Sequence, residues 1–387
     1  MIVGSRVFIS AGEASGDLYA AGVAEALKRR RPGVKFFGCA GPSMRRAGVR
    51  AVADSASLAV VGLIEVLRHL PRIYGEYRKL VREIRREPPE AAILTDSPDF
   101  HLRLAVQLKR MGVPVIYLVA PQVWAWRRGR LRRMRNVIDR LLCIFPFEEE
   151  FFARSGMNAA YIGHPLTRLI RPSASPAVLR REFAPADAGP LIALLPGSRP
   201  GEALRHLPAL LDACERLQAQ RKARFILSLP EGFQARASLE SFRERFSRLT
   251  IQVLEGRTWD VLACADLALA ASGTVTIEAA LLGAPMITFY RVNRMSWLIG
   301  KLLVRVPFYS MVNLIAGRRV VPELIQNQMT GERLAAEAGE LLDDENGRAR
   351  MRTDLAMVAR RLAADADPLE TAASVVEMFL KEEMAHV

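Results

Sequence analysis

Two carboxylates, Asp96 and Asp99, flank a Ser-Pro step that directly follows the apolar run Ala91–Thr95. Open α/β sheets place their sites at the carboxyl ends of the strands, so this turn is positioned to act on a ligand. A carboxylate there can take a proton from an attacking hydroxyl. Asp99 is the candidate general base and Asp96 its orienting partner, although either could simply cap the following helix. A second segment, Ala271-Ser-Gly-Thr-Val-Thr-Ile-Glu278, reads as a strand end, a turn and a helix start. A helix start offers unpaired N–H groups and a positive dipole end, which suits a diphosphate. At Gly273 no side chain blocks close approach to Ser272 and Thr274. Glu278 falls one turn beyond Thr274 on the same helix face, where its carboxylate could accept both hydroxyls of a ribose. An ordinary Ser/Thr cap with a surface glutamate would use the same letters. A third segment, Leu195-Pro-Gly-Ser-Arg199, is again a strand followed by a phosphate-ready turn, and Arg199 could neutralise a diphosphate leaving group.

The formal net charge is +14 over 387 residues, which favours an anionic partner. The basic residues are not evenly spread. Seven arginines lie between Arg127 and Arg140, just after Trp124-Ala-Trp126. The stretch from Ala279 to Pro322 carries six basic residues and no acid. Within it Met295, Leu298, Ile299, Leu302, Leu303 and Val306 recur at helical spacing, as in a basic helix on anionic lipid or a helix facing a core. No nucleic-acid-binding motif accompanies these clusters, so nucleic acid is not expected as a partner. Asp365-Ala-Asp367 has the spacing of a metal–diphosphate site but follows no strand, and it is read as chance. The five histidines form no His-x-x-x-His pair and the four cysteines no Cys-x-x-Cys. No metal and no cofactor are expected, with helix dipoles and arginines in the metal's place.

The elements that must position these groups follow from periodicity. Strand-like runs begin at Arg6, Val34, Ala91, Val115 and Leu141, with helical segments between them. From Pro165 to Pro190 there are five prolines and little periodicity, which suits a linker. Strand-like runs then resume at Leu191, Arg224, Thr250, Leu267 and Pro285, and the chain reads as helical after Pro322. Alternation of this kind predicts two doubly wound α/β domains with parallel sheets and a cleft between the carboxyl ends of their strands. The expected domains are residues 1–170, 171–340 and a helical segment 341–387 that crosses back to the first domain. No apolar stretch is long enough for a transmembrane helix, and the start of the chain does not read as a signal peptide.

Taken together, the segments Ala11-Gly-Glu-Ala-Ser-Gly-Asp17, Ala40-Gly-Pro42, Val61-Gly-Leu-Ile-Glu-Val66, Asp96-Ser-Pro-Asp-Phe100, Pro121-Gln-Val-Trp-Ala-Trp126, Phe145-Pro-Phe-Glu148, Ile162-Gly-His-Pro165, Leu195-Pro-Gly-Ser-Arg199, Ser272-Gly-Thr274 and Asn313-Leu-Ile-Ala-Gly-Arg318 resemble the lipid-A-disaccharide synthase family along nearly the whole chain. The resemblance implies a GT-B-like fold with an acceptor-binding N-terminal domain and a UDP-sugar-binding C-terminal domain. It implies transfer of 2,3-diacylglucosamine from its UDP derivative to 2,3-diacylglucosamine 1-phosphate, with inversion, giving a β-1,6-linked disaccharide 1-phosphate and UDP. Carried over by motif, Asp99 is the base and Arg199 faces the diphosphate. Ser272, Gly273, Thr274 and Glu278 hold UDP, Asn313 and Gln326 line the same site, and Glu13 and Ser15 bind substrate. The family also implies a C-terminally swapped homodimer, peripheral on the cytoplasmic face of the inner membrane. The segment from Leu58 to Leu70 and the basic helix after Arg294 are the expected membrane-facing surface. Arg168 and Val312 depart from the family pattern, standing where an acid and a proline are common. The competing readings are another UDP-sugar enzyme, such as a peptidoglycan glycosyltransferase or a UDP-sugar epimerase, and a non-catalytic basic protein that binds membranes or RNA.

Overall fold

The computed structural model describes residues 5–58, 63–125, 128–184, 189–233, 236–293, 297–298, 300–301 and 306–381. Contacts divide the chain into two units. The first is Met1–Leu169 with Leu362–Val387, and the second is Ile170–Leu302 with Val306–Arg361.

The first unit is built on a seven-stranded parallel sheet. Its strands are β1 (Arg6–Ala11), β2 (Lys35–Ala40), β3 (Arg50–Asp54), β4 (Ala91–Thr95), β5 (Val115–Leu118), β6 (Arg140–Cys143) and β7 (Ala159–Tyr161), in the order β3-β2-β1-β4-β5-β6-β7. Helices α1 (Ala14–Arg30), α2 (Pro42–Arg46), α3 (Leu63–Arg86), α4 (Pro98–Arg110), α5 (Leu131–Val137), α6 (Pro146–Arg154) and α7 (Leu166–Leu169) connect them. Strand β4 is buried at every position and β1 at all but Arg6, as expected of strands covered on both faces. The strand order reverses between β1 and β4, and their carboxyl ends, Ala11 and Thr95, are register partners. A reversal leaves room for a ligand, because the two connections leave toward opposite faces of the sheet.

The second unit repeats this plan with β8 (Leu191–Leu195), β9 (Arg224–Leu229), β10 (Gln252–Glu255), β11 (Leu267–Ala271), β12 (Met286–Tyr290) and β13 (Glu323–Ile325). Their order is β10-β9-β8-β11-β12-β13, all parallel, with the reversal between β8 and β11. Its helices are α8 (Pro176–Phe183), α9 (Pro200–Gln220), α10 (Arg243–Arg248), α11 (Thr258–Cys264), α12 (Thr274–Leu281), α13 (Met311–Ala316), α14 (Gly331–Asp343) and α15 (Glu345–Leu362). Leu194, Leu207, Leu210, Phe225, Leu269 and Phe289 are among the residues that fill the core.

The return to the first unit comes at Leu362, later than the expected residue 341. The reason is the anchoring of α15. Met351 Sδ accepts the amide hydrogen of Met286 at the start of β12, Arg318 pairs with Asp354 at 2.5 Å, and Arg361 donates to the carbonyl of Ile315 at 2.6 Å. The last helix, α16 (Pro368–Glu377), packs against α1 of its own chain. Asp367 caps it by accepting from the amide of Leu369 at 2.8 Å, and Arg168 lies 3.6 Å from the same carboxylate. Asp367 is therefore a helix cap, and the departure at Arg168 supplies its counter-ion.

Candidate active site

At the first reversal the loop after β4 is held in an unfavourable shape. Asp96 and Ser97 have φ of 56° and 37°, the left-handed region that side chains other than glycine seldom adopt. Several bonds impose it. The Asp96 carboxylate accepts the amide hydrogens of Gly12 (2.8 Å) and Glu13 (3.1 Å), clamping the start of α1. Its main-chain carbonyl accepts from the Tyr117 hydroxyl and from His101 Nδ1 (2.9 Å). A carbonyl only accepts, so Nδ1 carries the hydrogen, and Nε2 then accepts from the Ser10 hydroxyl at 2.8 Å. Burial holds the His101 pKa down at about 4, which keeps this neutral tautomer. Close approach requires glycine: a Cβ on Gly16 would lie 1.7 Å from Asp96 Oδ2, and one on Gly12 would lie 2.2 Å from Ser97 Oγ. Desolvation, reinforced by the charge of Glu13, raises the Asp96 pKa well above the usual carboxylate range.

Asp99 sits in the first turn of α4 with its side chain 72% exposed, and its carboxylate is paired with Arg130. The two aspartates of one motif therefore differ in kind: Asp96 is tied to the backbone, and Asp99 reaches solvent. Asp96, Arg130, Asp99 and Glu13 all act electrostatically on the buried Tyr117 phenol, whose pKa is raised chiefly by burial. That shared neighbour brings Glu13, the N-cap residue of α1, both aspartates and Arg130 into one cluster. Ser15 is half-buried in the first turn of α1. Asp17 accepts the amides of Gly41 (2.7 Å) and Ser43 (2.8 Å), tying the Ala11–Asp17 and Ala40–Pro42 segments together.

The Phe145–Glu148 segment has a structural partner in the arginine-preceding loop. Glu148 is fully buried and accepts from the Trp124 indole (3.1 Å) and from the amide of Phe145 (3.2 Å). Burial pushes its pKa up to about 8. Trp126 and Arg127 lie outside the described residues.

At the second reversal, Arg199 is the N-cap residue of α9, and Gly197 precedes it at φ 117°. A side chain at Gly197 would also strike the Glu202 carboxylate, 2.6 Å from the added Cβ. His206, fully buried, donates from Nδ1 to the carbonyl of Pro196 (2.7 Å) and accepts at Nε2 from the amide of Arg291 (3.1 Å), joining the loops after β8 and β12. On the other side of the reversal, the Ser272 hydroxyl donates to the carbonyl of Tyr309 at 2.8 Å. Gly273 is exposed at the head of α12, and among the described residues an added Cβ would meet no atom within 4 Å other than those of its own chain neighbours. One turn along α12, burial raises the Glu278 pKa to about 7 while the Trp259 side chain hydrogen-bonds its carboxyl.

Asn313 has no hydrogen-bonding capacity left for a nucleotide, whereas Gln326 commits one N–H and one lone pair of its amide to the backbone. The buried Asn313 amide donates to the carbonyl of Val321 (2.9 Å) and to Glu323 Oε1 (2.8 Å). Its oxygen accepts from the amides of Val320 (2.7 Å) and Val321 (3.0 Å), so both donors and both lone pairs are used. Gln326 pairs its amide with both main-chain groups of Val292, at 3.1 and 2.8 Å. These residues shape the loops around the site. The buried Glu323 does the same, accepting from the amides of Tyr309 (3.0 Å) and Ser310 (2.9 Å) and so fixing the carbonyl that Ser272 reaches. At Val312 the amide donates to the capping Ser310 hydroxyl at 3.2 Å, a bond that a proline would lack.

Tyr117, Arg130, His101, His206, Trp259 and Glu323 were not among the residues singled out from the sequence. A histidine on an apolar helix face was the available signal for His101 and His206. Nothing local distinguishes Arg130 from its neighbouring arginines. Of the expected membrane-facing surface, residues 59–62, 294–296, 299 and 302–305 lie outside the described residues. No helix among the described residues is long and apolar enough to cross a membrane.

A family model described as lipid-A-disaccharide synthetase matches residues 7–368. The chain is 56% identical over 382 residues to a lipid-A-disaccharide synthase of Solibacter usitatus, covering 99% of each chain. Among solved structures, it is similar to the glycotransferase of kitacinnamycin (TM-score 0.66, 18% identity, 98% of this chain and 99% of that one). It is also similar to a UDP-GlcNAc 2-epimerase of Neisseria meningitidis bound to UDP-GlcNAc (TM-score 0.62, 11% identity, 96% and 98%). At these identities the structural likeness speaks for the fold, two parallel-sheet α/β units of GT-B type.

Proposed function

Because the chain belongs to the lipid-A-disaccharide synthetase family, we propose that it is a glycosyltransferase that moves 2,3-diacylglucosamine from UDP to the 6-hydroxyl of 2,3-diacylglucosamine 1-phosphate. The observation that carries this reading is the contrast between the two strand reversals. One exposes a carboxylate, Asp99, beside an arginine. The other exposes a bare glycine at a helix start, beside Ser272 and Thr274. A carboxylate suits proton removal, and a helix start suits a diphosphate.

Asp99 takes the proton from the acceptor hydroxyl as that oxygen forms its bond to the anomeric carbon of the donor. The bond from the anomeric carbon to the diphosphate oxygen breaks at the same time, and UDP leaves with the electron pair. Attack from the face opposite UDP converts an α-linked donor into a β-linked product. Arg199 and the start of α12 stabilise the charge that collects on the diphosphate. Glu278, when ionised, accepts the ribose hydroxyls, and Glu13 and Ser15 contact the acceptor. Asp96, Asn313 and Gln326 act by holding loops. The enzyme works at the anionic cytoplasmic face of the inner membrane, as a dimer in which the C-terminal segment, seated on α1 of its own chain here, is exchanged between subunits.

The test is turnover with both acylated sugars, following UDP release and disaccharide mass. Equal amounts of UDP and disaccharide, and no turnover without the acceptor, are expected. Acceptor-independent conversion of the UDP-sugar would make the protein an epimerase and end the proposal.

A further inference from the structure

Asp99 is the exposed carboxylate of its motif, yet its partner is a guanidinium. The Arg130 side chain is only 17% exposed, so the arginine is the sheltered member of the pair. An adjacent cation favours the ionised carboxylate and makes it a poor proton acceptor. A base left in that pairing is held back from the chemistry required of it. The surroundings also favour a second anion. Helices α4 and α5 pack together, and Arg103, one turn after Asp99, and Arg132, in the first turn of α5, are both exposed. Arg133 is directed instead to the carbonyl of Leu102.

We propose that Arg130 is the receptor for the phosphate of the acceptor sugar, and that this phosphate draws the guanidinium away from Asp99, freeing the carboxylate only when the phosphorylated acceptor is bound. The proposal rests on the glycosyltransferase reading and adds a regulatory step to the same site. A phosphate dianion offers three acceptor oxygens and up to two charges, against one charge on Asp99, so it competes well for a forked donor. The arrangement makes the substrate's own phosphate the signal for base release. It also protects the activated donor from water, because the base stays paired until the correct acceptor arrives.

The experiment compares the acceptor with its counterpart lacking the anomeric phosphate. The wild-type protein is expected to favour the phosphorylated sugar by about 100-fold in kcat/KM, the size of a charge-assisted contact. Arg130→Ala should lower kcat/KM for the phosphorylated acceptor by roughly 30-fold, through a higher KM, and raise turnover of the unphosphorylated one by about three-fold or more, because Asp99 is no longer paired, with Arg130→Lys falling between. Millimolar inorganic phosphate should stimulate wild-type turnover of the unphosphorylated sugar and leave Arg130→Ala unaffected. Equal losses on both acceptors in Arg130→Ala, or no preference in the wild type, would overturn the assignment. The wild-type comparison and the phosphate stimulation need no variant, so they decide the matter even if the substitution disturbs folding. If the wild type makes no disaccharide at all, the transferase reading itself fails, which is a different outcome.

Discussion

The carboxylate of Asp96 accepts the amide hydrogen of Gly12 at 2.8 Å, across 84 residues of chain, and fastens the start of α1 to the end of β4. With Glu13 bonded to the same carboxylate and Gly16 leaving room for it, this group is part of the framework. Asp99, three residues on, is exposed. The difference leads to opposite expectations for the same chemical change. Asp96→Asn should lower the melting temperature by several degrees, since a buried amide N–H loses its acceptor at about 1–3 kcal/mol. Asp99→Asn should melt like the wild type and lose about 10²- to 10⁴-fold in kcat with UDP affinity retained. Thermal melts run beside steady-state kinetics separate the two. A catalytically silent Asp99→Asn would remove the proposed base.

Glu278 gives UDP binding a pH signature. Its folded pKa is about 7, raised by burial, and only the ionised form accepts from two ribose hydroxyls. UDP affinity should therefore rise between pH 6 and pH 8, by about ten-fold beyond any change due to the diphosphate itself. Glu278→Gln supplies that correction, because it keeps the diphosphate's titration and loses the carboxylate's. Calorimetric titration of both proteins at the two pH values is the measurement. Parallel curves would take Glu278 out of the ribose site.

Glu148 predicts a stability profile. Its pKa, about 8 in the folded chain, exceeds the ordinary value of 4.5, so the folded state binds the extra proton between those values. Its stabilising contribution is full below about pH 4.5 and is lost as the pH rises through 8. Glu148→Gln, which does not titrate, should gain on the wild type steadily from pH 5 to pH 8.5 in urea denaturation midpoints. A constant gap across that range would contradict the burial argument.

Asn313 should act on the fold and leave UDP affinity nearly intact. Asn313→Ala strands the amides of Val320 and Val321 and removes a partner from the buried Glu323. A loss of about 2–4 kcal/mol in stability is expected from these orphaned groups, with UDP affinity of the folded fraction changed by less than about three-fold. Unchanged melting with UDP binding lost would reverse the assignment and make Asn313 a ligand contact.

Read along the chain, these residues already specify two parallel-sheet units and the turns that carry the chemistry. Apolar runs such as Leu191–Leu195 and Leu267–Ala271 are strands because covered strands need continuous apolar sequence, and all ten of their residues are buried. Ser272-Gly-Thr274 and Asp96-Ser-Pro-Asp99 mark strand-to-helix turns through local backbone chemistry. The folded arrangement alone decided which polar groups remain available. Asp96 and Asp99 look alike in sequence, and the partners that tie one down are Gly12, Glu13, Ser97 and Tyr117, most of them remote. Asn313 occupies a motif position, and Val320, Val321 and Glu323 use up its amide, while Gln326 gives half of its amide to Val292, 34 residues away. Arg130 is one arginine of seven until it meets Asp99. Hydrogen-bond capacity is finite and is filled by whatever the tertiary fold brings within 3 Å or so, whereas strand and helix periodicity is a property of neighbours in the chain.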